Sequence, residues 1–356
     1  MRFASAVLLT AAAPAVLAAP VPSLLGDIFA DLQGAISHVT TTVTSHLSPV
    51  EELAKAVKKL GTTLKTNAGI HGNKLGCNDF TFPKVDGHHG KNKHDISWPA
   101  QKKNFINWRT YKSNGVNLGA WLEQEQNYDY DWWAANIGDD YPDEWTWCGA
   151  VGFKECGPKL EARYSSFFTT ADIDKMGKLG INTLRIPTTY AAWVKVPYSN
   201  LYHGNQQEHL RKICNYAIDK YGMHVILSLH SLPGGINTLS IGEAFGHNAW
   251  FQNTTHLEWS FKAADSMLSF IKSSGRMWAF TVGVGNEFSD NFEGFATPSG
   301  LSEAGTNWIN TWTHGVLARI AKIDKRIPVM LQDSFFSEKY WSPFVSGRRA
   351  LSTNLN

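Results

Sequence analysis

Two signatures are missing from this chain: metal-ligand spacing and an imbalance of charge. Its four cysteines, Cys77, Cys148, Cys156 and Cys214, form no C-x-x-C pair, which argues against a structural zinc site. The 33 Lys and Arg against 31 Asp and Glu leave a net charge of only +2, with no basic block. Nucleic acid is therefore not an expected partner. Nor is a membrane span expected, because the apolar stretch Ala4 to Leu17 is broken by Pro14 and falls short of the roughly 20 residues a crossing helix needs.

That stretch, preceded by Arg2 and followed by Ala18 and Ala19, reads as a signal peptide over residues 1–19, with Val16-Leu17-Ala18 suited to signal peptidase. The implied address is secreted and extracellular, compatible with cell-wall association. Four cysteines in an oxidising compartment allow two disulfides in three connectivities. Cys148 and Cys156 flank a short loop and are the first choice for one bridge. Asn253-Thr254-Thr255 is a glycosylation sequon if it lies at the surface.

Residues 20–110 read as a pro-region or linker with amphipathic helical patterns, first at Leu24, Leu25, Ile28, Phe29 and Leu32 and again from Val50 to Leu60. Its last part is rich in Gly, Asn, Lys and His. His88, His89 and His94 read as solvated loop, set in a stretch of Gly, Asn and Lys without zinc-site spacing. Residues 111–356 carry a different rhythm. Candidate strands at Val116 to Leu122, Asn182 to Pro187, His224 to His230, Ala279 to Glu287 and Ile327 to Asp333 alternate with helical patterns. The helical patterns lie at Thr170 to Leu179, Gln207 to Tyr221, Leu257 to Ser273 and Leu301 to Ile323. The expected fold class is α/β, a (β/α)8 TIM barrel with about five of its eight strands present. Arg185, His230, Glu287 and Asp333 are spaced 45, 57 and 46 residues apart, and only 23 residues follow Asp333. On that rhythm the chain reads as a truncated product, gene model or fragment that does not close a barrel alone.

Chemistry collects at the strand ends. Arg185 follows Leu184, His230 ends Val225 to Leu229, and Asn286-Glu287 ends the run from Trp278 to Gly285. Such positions converge on the catalytic face of a parallel barrel. Glycoside hydrolysis uses a carboxylic acid there as proton donor, the role assigned to Glu287. Asn286 would bond the sugar hydroxyl next to the anomeric carbon, and Arg185 would orient and keep ionised a nucleophilic carboxylate. His230 would bond a sugar hydroxyl or position a carboxylate.

Gly115-Val116-Asn117-Leu118-Gly119-Ala120-Trp121-Leu122 with Glu125 resembles the G-V-N-L-G-G-W-L-x-x-E opening of fungal exo-β-1,3-glucanases in glycoside hydrolase family 5. Leu184 to Pro187, Leu229 to Asn237, Asn286-Glu287-Phe288 and Gln332 to Phe335 are similar, in the same order, to that family's R-I-P, L-H-G-x-P-G-S-Q-N, N-E-P and H-D-A-F segments. The resemblance implies Glu287 as acid/base and Glu125, Arg185, His230 and Asn286 as active-site or substrate-contacting groups. It also implies retention of configuration and a β-glucan substrate, most directly glucan 1,3-β-glucosidase activity in wall glucan metabolism, with β-1,6-glucan and other β-glycans as alternatives. The chain departs from the pattern at Ala120, Ser231, Gly285 and Phe288. The family's H-x-Y segment and G-E-[WF] nucleophile strand have no counterpart, and Glu338 falls in what corresponds to a loop. A glucan-binding pseudoenzyme is therefore a third reading. Trp132, Trp133, Trp145 and Trp147, in the aromatic and acidic insertion Glu125 to Cys156, and Trp193 are candidates for stacking on sugar rings or for packing the insertion onto the barrel. No metal or organic cofactor is required, and a monomer is expected.

Overall fold

The computed structural model describes residues 104–345. The chain divides into a unit of residues 1–94 and one of residues 95–356, and every described residue belongs to the second. The signal peptide expected at 1–19, nearly all of the expected pro-region at 20–110, Cys77 and the histidines 88, 89 and 94 lie outside the described residues.

Five parallel strands form one sheet, β1 (Gly115–Asn117), β2 (Thr183–Thr188), β3 (His224–Leu229), β4 (Phe280–Gly283) and β5 (Val329–Met330). They pair in chain order, β1 to β5, without reversal. A doubly wound sheet reverses its order at a switch point, whereas a (β/α) barrel adds each strand on the same side. The described arc is therefore an incomplete barrel of five strands.

Alternation along the strands divides the two faces. Leu184, Ile186, Val225, Leu227, Leu229, Phe280 and Val282 are buried, and they form the face that takes the covering helices. The other face carries Arg185 on β2, His224, Ile226 and Ser228 on β3, and Thr281 and Gly283 on β4. The covering helices are α4 (Thr170–Lys178), α5 (Gln206–Tyr221), α6 (Thr254–Ser273) and α7 (Glu303–Ile323). Their ends are set by local chemistry. Thr169 and Asp172 form a reciprocal capping box at α4, Asn253 and Ser302 cap α6 and α7, and Gly222 closes α5 in the left-handed conformation at φ 62°.

Three helices were not expected. Within and beyond the insertion after β1 lie α1 (Tyr130–Asn136), α2 (Glu144–Val151) and α3 (Phe153–Ser166). Cys148 on α2 is bonded to Cys156 on α3, the bridge first chosen from spacing. Cys214 is a buried free thiol on α5, so the structure does not place it in a second disulfide.

Three strands are markedly shorter than their sequence patterns, and the first, β1, stops at Asn117 rather than Leu122. β4 stops at Gly283 rather than Glu287, and the segment that follows carries Glu287 at φ 52°, outside strand geometry. β5 is an edge strand that pairs with β4 alone over Val282↔Val329 and Gly283↔Met330, which limits how far the ladder runs. Glu338 is also corrected: it begins helix α8 (Glu338–Val345) instead of lying in a loop.

Candidate active site

Register brings the polar groups together before any loop is considered. Arg185 lies opposite Asn117 of β1 and Ile226 of β3. Its Nη1 donates to Asn117 Oδ1 at 2.9 Å, and its Nη2 donates to Asn286 Oδ1 at 2.9 Å and Ser228 Oγ at 3.3 Å. His230 Nδ1 stands 3.4 Å from the same Nη2. One guanidinium thus ties the ends of four strands into a single wall. Gly283 makes this possible on β4, since a Cβ there would stand 2.9 Å from Ser228 Oγ.

Glu287 sits at the β4 end of this wall. Its φ of 52° is left-handed, a conformation L side chains avoid at a cost of roughly 1–2 kcal/mol. Neighbouring bonds hold it there: Trp312 Nε1 on α7 donates to Val284 O at 2.7 Å, and Ser289 N donates to Ile236 O at 2.9 Å. Burial raises the Glu287 carboxyl above the usual range, the Glu125 carboxylate raises it further, and Arg185 opposes both. A carboxylic acid poised this way keeps a proton that an exposed glutamate would lose.

Gly285 and Phe288, two departures from the resembled pattern, answer each other. A Cβ on Gly285 would stand 2.0 Å from Phe288 Cζ. The Phe288 ring is 1% exposed and lies 5.3 Å from the Trp250 ring centroid. A glycine here leaves room for the ring that replaces the expected proline.

The β1 end is held by the insertion. Arg163 on α3 donates Nε and Nη2 to Ala120 O at 2.9 and 2.7 Å and pairs through Nη1 with Asp129 at 2.9 Å. Trp121 Nε1 donates to Tyr164 O at 2.8 Å. These contacts fix the segment that carries Glu123 and Glu125. Ala120, standing where the resembled pattern has glycine, is left-handed at φ 53°, which accounts for that preference.

Glu125, Arg185, His230, Asn286 and Glu287, the residues singled out from sequence, are brought to one place. The sequence reading missed three that join them. Asn117 and Ser228 face Arg185, and strand register is the signal that would have found them. Glu123 is the third, 2% exposed, with no N–H donor on either oxygen and the Glu125 carboxyl as its hydrogen-bonding neighbour. The signal was alternation, since Glu123 stands two residues before Glu125. One oxygen of each glutamate and a ring nitrogen of His230 all lie within 4.8 Å of one another. Burial, then the Glu125 charge, holds Glu123 well above the usual carboxylate range, and burial also raises Glu125. Burial and Arg185 lower His230 to about 3, so its ring is neutral at ordinary pH. Two carboxyls and an imidazole could hold a divalent cation, but the guanidinium beside His230 works against it.

The tryptophans divide differently from a stacking platform. Trp133, Trp147 and Trp193 are buried in the core, and Trp193 Nε1 donates to Thr188 Oγ1 at 2.8 Å. Trp132 lies under the Arg163 guanidinium at 4.3 Å, and Trp145 meets His247 edge-on at 4.9 Å. They pack the insertion. The exposed ring beside the carboxylates is Tyr128, 65% exposed, whose hydroxyl pKa burial raises first and then the charges of Glu125, Glu123 and Glu287.

No protein-family model matches the chain. Over 245 residues it is 29% identical to a probable glucan 1,3-β-glucosidase A of Aspergillus niger, covering 67% of this chain and 54% of the relative. Over 163 residues it is 32% identical to glucan 1,3-β-glucosidase 1 of Schizosaccharomyces pombe, covering 45% and 40%. The chain spans about half the length of the curated relatives it matches. Among solved structures, a rutinosidase from Aspergillus niger is 46% identical with a TM-score of 0.66, covering 70% of this chain and 69% of that one.

Proposed function

The chain belongs to glycoside hydrolase family 5, and from that premise we propose that it acts as a secreted, retaining hydrolase of β-glucosides, with Glu287 as the proton donor. The observation that carries the reading is the wall built on Arg185, which sets Asn286 beside a buried Glu287 whose proton is held by burial and by Glu125. In this reading Glu287 protonates the glycosidic oxygen while a carboxylate nucleophile bonds the anomeric carbon, and Glu287 then, as the base, activates the water that cleaves this glycosyl ester. In the resembled family that nucleophile lies on the G-E-[WF] strand, which has no counterpart in this sequence, so Glu287 and its neighbours supply the acid/base half of the cycle. Asn286 bonds the hydroxyl next to the anomeric carbon. Neutral His230 and Glu125 bond hydroxyls further round the ring, and Arg185 orients the amide of Asn286. The Cys148–Cys156 bridge supports secretion.

β-1,3-Glucan is the substrate favoured by the curated relatives. A rutinoside is the second reading, favoured by the higher identity to the rutinosidase, 46% against 29%. Laminarin, an aryl β-glucoside and an aryl rutinoside offered to the purified chain separate the two by rate. Glu287→Gln is expected to abolish hydrolysis where the leaving group needs a proton and to spare activated aryl glycosides more. Equal loss on both would refute the proton-donor role. Laminarin binding without product release would instead identify a glucan-binding protein that performs no hydrolysis.

A further inference from the structure

We infer that Glu123 is a specificity-determining residue, accepting hydrogen bonds from hydroxyls of the terminal sugar on the side away from the scissile bond. This rests on the glycosidase reading and adds a contact that the resembled motif, with its unspecified x-x before Glu125, does not contain. The starting point is an imbalance. Glu123 is 2% exposed and no N–H reaches either of its oxygens; its hydrogen-bonding neighbour is the Glu125 carboxyl, so the pair shares a proton and keeps buried acceptor lone pairs unfilled unless something else supplies donors.

The nearby cations do not supply them. Arg163 is engaged by Ala120 O and Asp129, and the Arg185 Nη atoms by Asn117, Ser228 and Asn286. Glu123 is instead turned toward Glu125 and His230, all within 4.8 Å. These groups lie at the β1 and β3 ends, while Asn286 and Glu287 follow β4, and the Arg185 guanidinium bridges from Asn117 to Asn286. A pyranose over that bridge, with its anomeric carbon at Glu287, presents its remote hydroxyls to Glu123. Two carboxyls and a neutral imidazole match a row of neutral hydroxyl donors. A metal ion fits less well beside the guanidinium, and an anion does not fit at all.

The test uses the full chain with Glu123→Leu and Glu123→Gln, assayed on 4-nitrophenyl β-glucoside and its 3-, 4- and 6-deoxy analogues. Glu123→Leu is expected to raise KM for the glucoside ~5–10-fold, the size of one hydrogen bond to a neutral carboxyl. On the analogue lacking the contacted hydroxyl the effect should shrink to within ~3-fold. Glu123→Gln, which keeps an acceptor, should fall between. The Tm of Glu123→Leu should rise, because one of two buried carboxyls packed against each other leaves the interior, whereas a purely structural glutamate would give a lower Tm. Equal losses on all four glycosides would overturn the inference, as would stoichiometric Mn2+ or Zn2+ uptake by wild type that Glu123→Leu abolishes. If wild type binds but does not cleave, the same cycle is read from dissociation constants by ligand-observed NMR. Wild type that neither cleaves nor binds these sugars refutes the glycosidase reading itself, while active wild type indifferent to Glu123 refutes only this inference.

Discussion

Gly285→Ala places a methyl group where the Phe288 ring already lies, 2.0 Å from Cζ, 2.2 Å from Cε2 and 3.1 Å from Cε1. The ring cannot swing out, because it is 1% exposed and packed beside Trp250. Over-packing of this kind costs about 1–3 kcal/mol. For a folded unit of this size each kcal/mol shifts Tm by roughly 2–4 °C, so a fall of roughly 2–12 °C is expected. Phe288→Ala alone opens a cavity and costs about 3–5 kcal/mol. In the double variant the new methyl occupies part of that cavity, so the combined loss should be smaller than the sum by at least ~1 kcal/mol. Urea denaturation of the four proteins measures the cycle. Losses that add to within ~0.5 kcal/mol would refute the claim that these two departures from the resembled pattern are one packing solution. Because Phe288 follows Glu287 directly, displacement of the ring should also lower kcat on aryl glucoside more than it raises KM.

Two further outcomes follow from the site and its support. Glu287 is raised first by burial and then by the Glu125 carboxylate, so Glu125→Gln should lower its pKa; the alkaline limb of kcat/KM, where a proton donor is lost as pH rises, should move to lower pH. An unmoved limb would mean that Glu287 is not the titrating acid. The Cys148–Cys156 bridge spans a sequence separation of 8, for which loop closure contributes about 2–3 kcal/mol. Cys148→Ala/Cys156→Ala should therefore lower Tm by roughly 4–12 °C, and an unchanged Tm would show that α2 and α3 are held by packing alone.

Strands were legible wherever an apolar run ended in a polar group. β2 and β3 are apolar on the helix side and carry Arg185, His224 and Ser228 on the other, so both their positions and the residues at their ends could be read directly. Helices α4 to α7 were legible for the same reason, since each buries one stripe against the sheet. The insertion was not. Its order depends on partners distant in sequence: Asp143 accepts from Phe245 N at 2.8 Å, Glu144 from Tyr202 N at 3.0 Å, and Arg163 reaches back to Ala120. No local periodicity encodes such contacts, and so the sequence left the tryptophans between stacking on sugars and packing the insertion, and the contacts of Trp132, Trp133, Trp145, Trp147 and Trp193 favour packing.

The sequence by itself determined a parallel α/β arc in consecutive order and the side chains at the ends of its strands, because burial on a pleated sheet imposes a period that can be read from one chain. Only the tertiary structure decided that Arg185 joins Asn117 to Asn286, that Gly285 exists for Phe288, and that Glu123 is buried against Glu125. Each of these is a relation between residues on different strands or turns, and distances across a fold are set by register and packing, which no local pattern contains.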